Sequence, residues 1–264
     1  MAYQIRRLGW IPDIPDQRDF TYAAPRAVLA QLPAQVDLKK QCPKTVYDQG
    51  RLGSCTANAI AGAIEFDQLK QGQAAATPSR LFIYYNERAI EHSIQFDAGA
   101  QIRDGIKSVR KQGACPETLW PYDDTPPETE DSPCPKCKFA QKPSAECYTE
   151  AKNHQILSYQ RIQQDLHAMK GCLASGYPFV LGFTCYSNLP FQSTTGDIPM
   201  PGSQDHTIGG HAVLAVGYDD AAQKFLIRNS WGPGWGSGGY GSLPYAYLLS
   251  PNLADDFWTI RTIE

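Results

Sequence analysis

A cysteine follows a glycine-rich turn in the segment Asp48–Ala59 and stands where a helix is predicted to begin. Gly50 and Gly53 favour the turn, and apolar residues recur at helical spacing after Cys55. A helix N-terminus carries partial positive charge, which stabilises a thiolate and makes the sulfur nucleophilic near neutral pH. Cys55 is therefore a candidate nucleophile. The alternative, a small buried core cysteine, is disfavoured by the turn before it and the helix after it.

A histidine and an asparagine that could serve this thiol stand far downstream. His211 follows Gly209 and Gly210 at a predicted strand, and Asn229 follows the next predicted strand. The 18 positions between them fit one strand, a hairpin and a return strand, which would place both side chains at the same end. His211 could act as base and acid and would lower the thiol pKa, while the Asn229 amide oxygen could orient the imidazole.

Gln49 precedes Cys55 by six residues and offers a side-chain amide that could donate to a developing oxyanion. The backbone N–H of Cys55 would be the second donor. Trp231 is expected to cover the hydrogen bond between His211 and Asn229 and to keep water away from it. Plainer interpretations remain open: a turn glutamine, a solvated histidine, a turn asparagine and a core tryptophan. The joint arrangement favours hydrolysis by a thiol.

These residues fall in three blocks, and the blocks resemble the papain-like cysteine peptidases, in their bacterial type with a short N-terminal arm. The blocks are Gln49–Cys55, Gly210–Val213 and Asn229–Tyr240, in the family's order. The family usually has an aromatic residue after the cysteine, where this chain has Thr56. The resemblance implies an α+β fold, with a helical domain packed against an antiparallel β-barrel-like domain and the active-site cleft between them. It also implies endopeptidase activity through a Cys55 acyl-thioester, without metal or cofactor.

Further site residues follow only from that resemblance. Alignment places Gly99 and Ala100 where the family has a glycine pair that holds the substrate backbone, and Ala100 departs from the pattern. Ile102 would line an apolar substrate pocket, and Gly210 would offer its carbonyl to the substrate. Trp231 would complete the substrate-binding set.

The chain divides into four predicted parts. Residues 1–33 read as an extended arm punctuated by prolines, in the place of a pro-segment. Residues 34–125 form a mainly helical domain, with helices over about 55–71, 80–91, and 100–112. Residues 126–150 form a linker loop. Residues 151–264 form an antiparallel β domain after a helix over about 163–174. The arm either gates the cleft, as in a zymogen, or simply packs on the body.

Composition limits the partners. The chain has 264 residues, of which 42% are hydrophobic and 19% charged, with a net charge of −3. This suits a globular protein and gives no reason to expect nucleic acid or an anionic membrane as a partner. No apolar run reaches the roughly 18 residues of a membrane-spanning helix. The start lacks a signal-peptide core, which favours the cytoplasm, although export by another route remains open. A peptide or protein substrate is the expected partner, with the chain's own arm as a second candidate for the cleft.

Eight cysteines leave seven once Cys55 is set aside, so at least one stays free or pairs between chains. This odd number slightly favours a reducing compartment. Cys134 and Cys137 have the spacing of half a zinc site, but no second pair completes it. A surface loop or a local disulfide is favoured over a metal. Two functional alternatives also remain: a transpeptidase or ligase that uses the same thioester, and a catalytically inactive binding relative.

Overall fold

The computed structural model describes residues 7–73, 76–129 and 131–263. The helices are α1 Arg26–Leu29, α2 Cys55–Lys70, α3 Arg80–Ile90, α4 Ile102–Gln112, α5 Ala145–Ala151, α6 Leu166–Ala174 and α7 Tyr245–Leu249. The strands are β1 Gln35–Asp37, β2 Ile156–Arg161, β3 Phe179–Tyr186, β4 Thr207–Asp219, β5 Lys224–Arg228, β6 Tyr240–Pro244 and β7 Ala254–Ile263. The predicted α+β class is confirmed.

A side-chain cap defines the start of α3, whereas the Ser54 side chain makes no cap hydrogen bond at the start of α2. α2 begins at Cys55, as predicted, and ends at Lys70. α3 begins at Arg80 because the hydroxyl oxygen of Ser79 accepts a hydrogen bond from the backbone N–H of Phe82 at 3.1 Å. This start agrees with the predicted helix over about 80–91, since serine is a preferred N-cap residue.

Two helices begin later than the sequence suggested. α4 starts at Ile102 rather than Ala100, because the residues before it pair with the N-terminal arm. α6 starts at Leu166 rather than near Gln163, and the side chain of Asp165 caps it. Helix α5 lies inside the predicted linker, and strands β2 and β6 were not predicted, because their short polar or glycine-containing sequences carry no clear alternation.

The sheet runs in the order β2-β7-β3-β4-β5-β6, and β1 pairs with the far end of β4. Every one of these strand pairs is antiparallel. The described strands form an open sheet, so the expected barrel-like closure was too strong a description. The predicted hairpin over Asp219–Gln223 joins β4 to β5. The division into domains stays a prediction; β1, from the helical half, pairs with β4 of the second half.

Helix α2 packs against β4 and sets the geometry of the cleft. Its residues are buried without interruption from Cys55 to Ile64, as expected of a helix enclosed on all sides. At Gly62 the helix packs against this strand, since a Cβ atom there would make ordinary van der Waals contact with the Leu214 side chain of β4 at 3.7 Å. The N-terminus of α2 thereby lies beside the residues at the start of the buried part of β4.

Two remaining sequence features can be placed. Cys134 and Cys137 are joined by a disulfide. Within residues 7–73, 76–129 and 131–263, no cluster of three His, Cys, Asp or Glu side chains could hold a metal ion. In the same part of the chain, none of the helices combines the length and apolarity needed to cross a bilayer.

The Ser79 cap provides a test of the helical half. Its hydroxyl also donates to the Trp120 carbonyl at 2.7 Å, and the residue is fully buried. Ser79→Ala removes the cap and leaves that carbonyl without its donor, so we expect a loss of about 1–2 kcal/mol in the free energy of unfolding. Urea unfolding measures it, with Ser203→Ala on the exposed surface as the matched control. Equal midpoints for the two variants would contradict the assigned role of the cap.

Candidate active site

Cys55 is the first residue of α2 and is fully buried. Burial raises the pKa of its thiol to about 12, against the opposing effect of backbone N–H groups of Ala212, Gly9 and Thr56. The sequence predicted the opposite direction, because a helix N-terminus favours a thiolate. Desolvation is the stronger effect here, and Gly9 of the N-terminal arm is among the groups that contact the sulfur. The nearby Ala212 N–H places the thiol beside the strand that carries His211.

His211 and Asn229 meet through a buried hydrogen bond. The Nε2 atom of His211 lies 2.8 Å from the Oδ1 atom of Asn229. This pairing follows from the sheet, because His211 lies in β4 and Asn229 directly follows β5, its neighbour. The same Oδ1 atom accepts from the backbone N–H of Ser230 at 2.8 Å, which fixes the amide. Since an amide oxygen only accepts, Nε2 of His211 carries the hydrogen.

Trp231 covers this pair. Its ring stacks on the His211 ring with centroids 4.7 Å apart and an interplanar angle of 28°. Phe191 stacks on the other side of Trp231 at 5.3 Å, and Trp235 packs edge-on at 5.3 Å. Trp231 is 1% exposed, so the hydrogen bond between His211 and Asn229 lies under a layer of aromatic rings. The predicted covering position agrees with this geometry, whereas its contact with substrate stays a prediction.

Gln49 is held with its amide nitrogen toward the cleft. Its Nε2 atom donates to the carbonyl oxygens of Leu52, at 2.9 Å, and Arg7, at 3.0 Å. Its Oε1 atom accepts from the Ser230 hydroxyl at 2.7 Å, which sets the orientation of the amide. Sequence reasoning missed Ser230 as an orienting residue. Its position directly after Asn229 was the available signal.

Residues 7–11 of the N-terminal arm lie between the two walls of the cleft. Gly9 accepts at its carbonyl oxygen from Ala100 N (2.8 Å), and Ile11 N donates to the Ala100 oxygen (3.0 Å). On the opposite wall, Trp10 N donates to the Gly210 oxygen at 2.9 Å. Gly99 has a φ of +75°, and a Cβ there would lie 2.1 Å from the Gly9 oxygen, so only glycine allows this approach.

The predicted substrate-binding residues are therefore brought together on the two sides of one groove. Gly99 and Ala100 form one side and Gly210 the other, and Ala100 pairs with the arm despite its departure from the family's glycine. Ile102 is fully buried at the start of α4, and its predicted place in an apolar pocket stays a prediction.

The side chain of Trp10 fills a recess in the second wall. A Cβ on Gly182 would lie 2.0 Å from the Trp10 ring, and one on Gly210 would lie 2.7 Å from it. The indole Nε1 atom of Trp10 donates to Oδ2 of Asp256 at 3.0 Å. Trp10 is 7% exposed, so the arm buries a large aromatic surface against the body.

A buried pair of carboxylates, Asp13 and Asp256, joins the arm to β7. The backbone N–H of Asp13 donates to Oδ2 of Asp256 at 2.8 Å, and Trp258 Nε1 donates to Oδ2 of Asp13 at 2.9 Å. Arg161 approaches Oδ1 of Asp256 at 2.9 Å and Oδ2 of Asp13 at 3.7 Å. Burial, followed by the charge of Asp13, raises the pKa of Asp256 to about 7. Burial also raises the pKa of Asp13.

Sequence reasoning did not predict this pair. The two residues are 243 positions apart, and neither stands in a motif that would draw attention to it. Their meeting depends on the path of the arm, which no local pattern in residues 1–33 specifies.

The papain family cysteine protease profile matches residues 32–247. The crystal structure of xylellain, a cysteine protease from Xylella fastidiosa, is 49% identical with a TM-score of 0.92, and each chain is covered completely. An uncharacterized peptidase C1-like protein of Acanthamoeba polyphaga mimivirus is 38% identical over 98% of this chain and 88% of its own length.

More distant relatives also share sequence or fold with this chain. The cathepsin B-like protein CP3 of Giardia intestinalis is 29% identical over 83% of this chain and 72% of its own length. A procathepsin B from Trypanosoma congolense, at 16% identity and a TM-score of 0.74, shares the fold. The chain belongs to the papain family and is a cysteine-type peptidase.

Proposed function

We propose that this peptidase is an endopeptidase that acts through Cys55, His211, Asn229 and Gln49, and that its own N-terminal arm keeps it latent. The observation that carries the proposal is the buried hydrogen bond between His211 and Asn229, formed beside the strand residue whose N–H faces the Cys55 sulfur. This arrangement supplies a nucleophile, a proton carrier and a group that orients the carrier.

The chemistry follows from these positions. His211 takes the proton of the Cys55 thiol, and the sulfur bonds to the substrate's carbonyl carbon; His211 then gives this proton to the departing amine as the C–N bond breaks. Water next attacks the thioester, and His211 takes a proton from the water and passes it to the sulfur as the C–S bond breaks, which releases the thiol and the new carboxylic acid. Asn229 keeps the imidazole in the orientation that both steps need, and Trp231 keeps water from competing for their hydrogen bond.

Two N–H donors stabilise the negative oxygen that forms at each step. One is the Gln49 amide, which Ser230 orients and which the Arg7 carbonyl of the arm already occupies. The other is the Cys55 backbone N–H, which lies in the first turn of α2 and has no partner within the helix. Donors that are fixed before the reaction need no reorganisation when the charge develops.

The endopeptidase mode is supported by the path of the arm. Residues 7–11 lie along the groove, and the chain continues beyond it to Asp13 and Phe20. A groove that stays open where the described arm leaves it can hold a substrate that extends past this end. An exopeptidase requires a group that closes one end.

Latency is supported by the contacts of the same segment. The N–H of Gly9 contacts the Cys55 sulfur, so the arm lies directly against the nucleophile, and burial raises the pKa of the thiol to about 12. The arm also uses the hydrogen-bonding groups of Ala100, Gly210 and Gln49 that a substrate would need. Substrate therefore competes with the arm for one groove.

Weakening the arm should activate the full-length chain. Trp10→Ala removes the buried aromatic anchor, and we expect kcat/KM for peptide hydrolysis to rise at least tenfold, because the loss of a buried aromatic side chain costs about 3–5 kcal/mol. Phe20→Ala is the matched control, since Phe20 is an arm aromatic that is 72% exposed. Equal activity of both variants and the unmodified chain would refute latency.

The catalytic groups can be tested in the Trp10→Ala background. Cys55→Ala should abolish cleavage of a mixed peptide library measured by mass spectrometry, whereas Cys172→Ala, at another buried cysteine, should leave it in place. Gln49→Ala should lower kcat by about 10²–10³-fold through the lost oxyanion donor. Cleavage that survives Cys55→Ala would refute the proposal. Joined rather than cut peptides would indicate a ligase that uses the same thioester.

Docking of the arm should weaken as pH rises. With the arm docked the pKa of Asp256 is about 7, and it falls toward its usual value of 3.8 when Asp13 and the covering arm leave. Between pH 3.8 and about 7, Asp256 therefore holds its proton when the arm is docked and loses it when the arm is displaced. Docking is favoured at low pH for this reason, and this contribution is lost as pH rises through about 7. Arg161, Asp255 and Asp13 are the charged groups that face Asp256.

The measurement is the rate at which an added protease cuts the arm in a Cys55→Ala chain at pH 5 and pH 8. Each rate is divided by the rate at the same pH for a Cys55→Ala chain that also carries Asp256→Asn and so lacks the titrating group. We expect this ratio to be higher at pH 8 than at pH 5. A ratio that does not change with pH would contradict this interpretation.

A further inference from the structure

One tyrosine hydroxyl joins the two ends of the turn that precedes Cys55. The hydroxyl of Tyr122 donates to the backbone carbonyl oxygen of Gln49 at 2.9 Å, and the hydroxyl oxygen of Ser54 lies 2.6 Å from it. Burial raises the pKa of Tyr122, so its hydroxyl keeps its hydrogen. Because this single hydrogen goes to Gln49, the Ser54 hydroxyl donates to Tyr122. The tyrosine hydroxyl is therefore a donor to one end of the turn and an acceptor from the other.

The two residues that Tyr122 contacts carry the two proposed oxyanion donors. The side-chain amide of Gln49 is one donor. The backbone N–H of Cys55 is the other, and it belongs to the peptide unit that begins at the carbonyl carbon of Ser54. A peptide unit is planar, so the orientation of this N–H follows the placement of Ser54. The spacing of the two donors therefore depends on the separation between Gln49 and Ser54, which the tyrosine hydroxyl spans.

A chain of hydrogen bonds holds Ser54 in this position. Nδ2 of Asn58 donates to the Ser54 carbonyl oxygen at 2.8 Å and to the Ser54 hydroxyl oxygen at 3.1 Å. Oδ1 of Asn58 accepts from Nη1 of Arg80 at 3.2 Å. Donation thus runs in one direction, from the Arg80 cation to the Gln49 carbonyl. Hydrogen bonds aligned in this way polarise and strengthen one another.

Arg80 also fixes the ring of Tyr122. Its guanidinium carbon lies 3.9 Å from the ring centroid, at the distance of a cation–π contact. Glu117 binds the guanidinium with both carboxylate oxygens, at 2.6 and 2.8 Å. Arg80 further donates to the carbonyl oxygen of Asp48 at 3.1 Å, directly before Gln49. Because the ring cannot turn away without losing the contact with Arg80, the hydroxyl is in place before substrate binds.

We infer that Tyr122 is a positioning residue whose hydroxyl sets the spacing between the Gln49 amide and the Cys55 N–H. This inference rests on the proposed function, since it assigns a further residue to the same reaction. Donors spaced for the negative oxygen of the intermediate stabilise it more than they stabilise the carbonyl of the bound substrate. A loss of this spacing slows the chemical step and leaves the nucleophile itself intact.

The first measurement is peptide hydrolysis by the Trp10→Ala chain with and without Tyr122→Phe. Phenylalanine keeps the ring and its contact with Arg80 and removes the hydroxyl. We expect kcat and kcat/KM to fall together by about tenfold or more, because donors that shift by a fraction of an ångström lose mainly transition-state stabilisation. Tyr148→Phe is the matched control, since that hydroxyl donates to Oδ1 of Asn86 at 2.9 Å and should leave both constants unchanged.

The second measurement is the rate at which iodoacetamide alkylates Cys55 in the same chains, followed by mass spectrometry of the peptide that contains it. In this reaction the sulfur displaces iodide from a saturated carbon, so no tetrahedral oxyanion forms. We expect Tyr122→Phe to leave the alkylation rate unchanged while it lowers kcat. A merely structural role, which disturbs the nucleophile or the fold, would lower both.

A double-mutant cycle with Gln49→Ala gives the third measurement. If Tyr122 aligns the Gln49 amide, its loss matters less once that amide is absent. We expect the effect of Tyr122→Phe on kcat to shrink to about threefold or less in this background. Should urea unfolding show that Tyr122→Phe is not folded, Ser54→Ala replaces it with the same expectations, because it removes the other hydrogen bond of the same hydroxyl.

The outcomes separate the positioning role from the proposed function. An unchanged kcat, an equal fall in kcat and alkylation rate, or a full-sized effect in the Gln49→Ala background would each overturn the role of Tyr122 and leave the endopeptidase in place. Absence of cleavage by the Trp10→Ala chain, with Cys55 still open to alkylation, would overturn the proposed endopeptidase and this inference with it.

Discussion

The contact between α2 and β4 is the constraint on which the whole groove depends. The helix presents Cys55 at its N-terminus, the strand presents His211, and the packing of α2 against β4 holds them side by side. Helix and strand are both buried, so neither can shift without disturbing a packed core. Asn229, Trp231 and Gln49 occupy their places because the strands and turns that carry them are joined to this pair.

The catalytic residues could be predicted from the sequence because the signals for them lie within short stretches of the chain. Cys55 stands at a helix start that follows a glycine-rich turn, and His211 and Asn229 are fixed by one hairpin between adjacent strands. Asp13 and Asp256 were out of reach of such reasoning. Their roles arise where the arm crosses the groove, and contacts over such distances in the chain leave no periodicity or motif.

The ionisation of Cys55 shows a second limit of sequence reasoning. A helix N-terminus and nearby N–H groups favour the thiolate, and those groups are present. The direction of the pKa shift is nevertheless set by the burial of the sulfur, which outweighs the N–H groups of Ala212, Gly9 and Thr56. A motif identifies which groups can interact, whereas the solvent exposure that decides between opposing effects is a property of the complete fold.

The anchoring of the arm beyond the groove has a kinetic consequence. Phe20 and Tyr22 exchange backbone hydrogen bonds with Arg161 at 2.8 Å, so only residues 12–19 separate the groove-bound segment from a fixed point. A linker of this length spans about 28 Å at most, which gives a displaced segment an effective concentration on the order of millimolar. Under the proposed arrangement, dilution would leave enzyme and inhibitor together. A single cut between Asp13 and Phe20 would convert them into an ordinary bimolecular complex, whose dissociation then depends on how much of it is present.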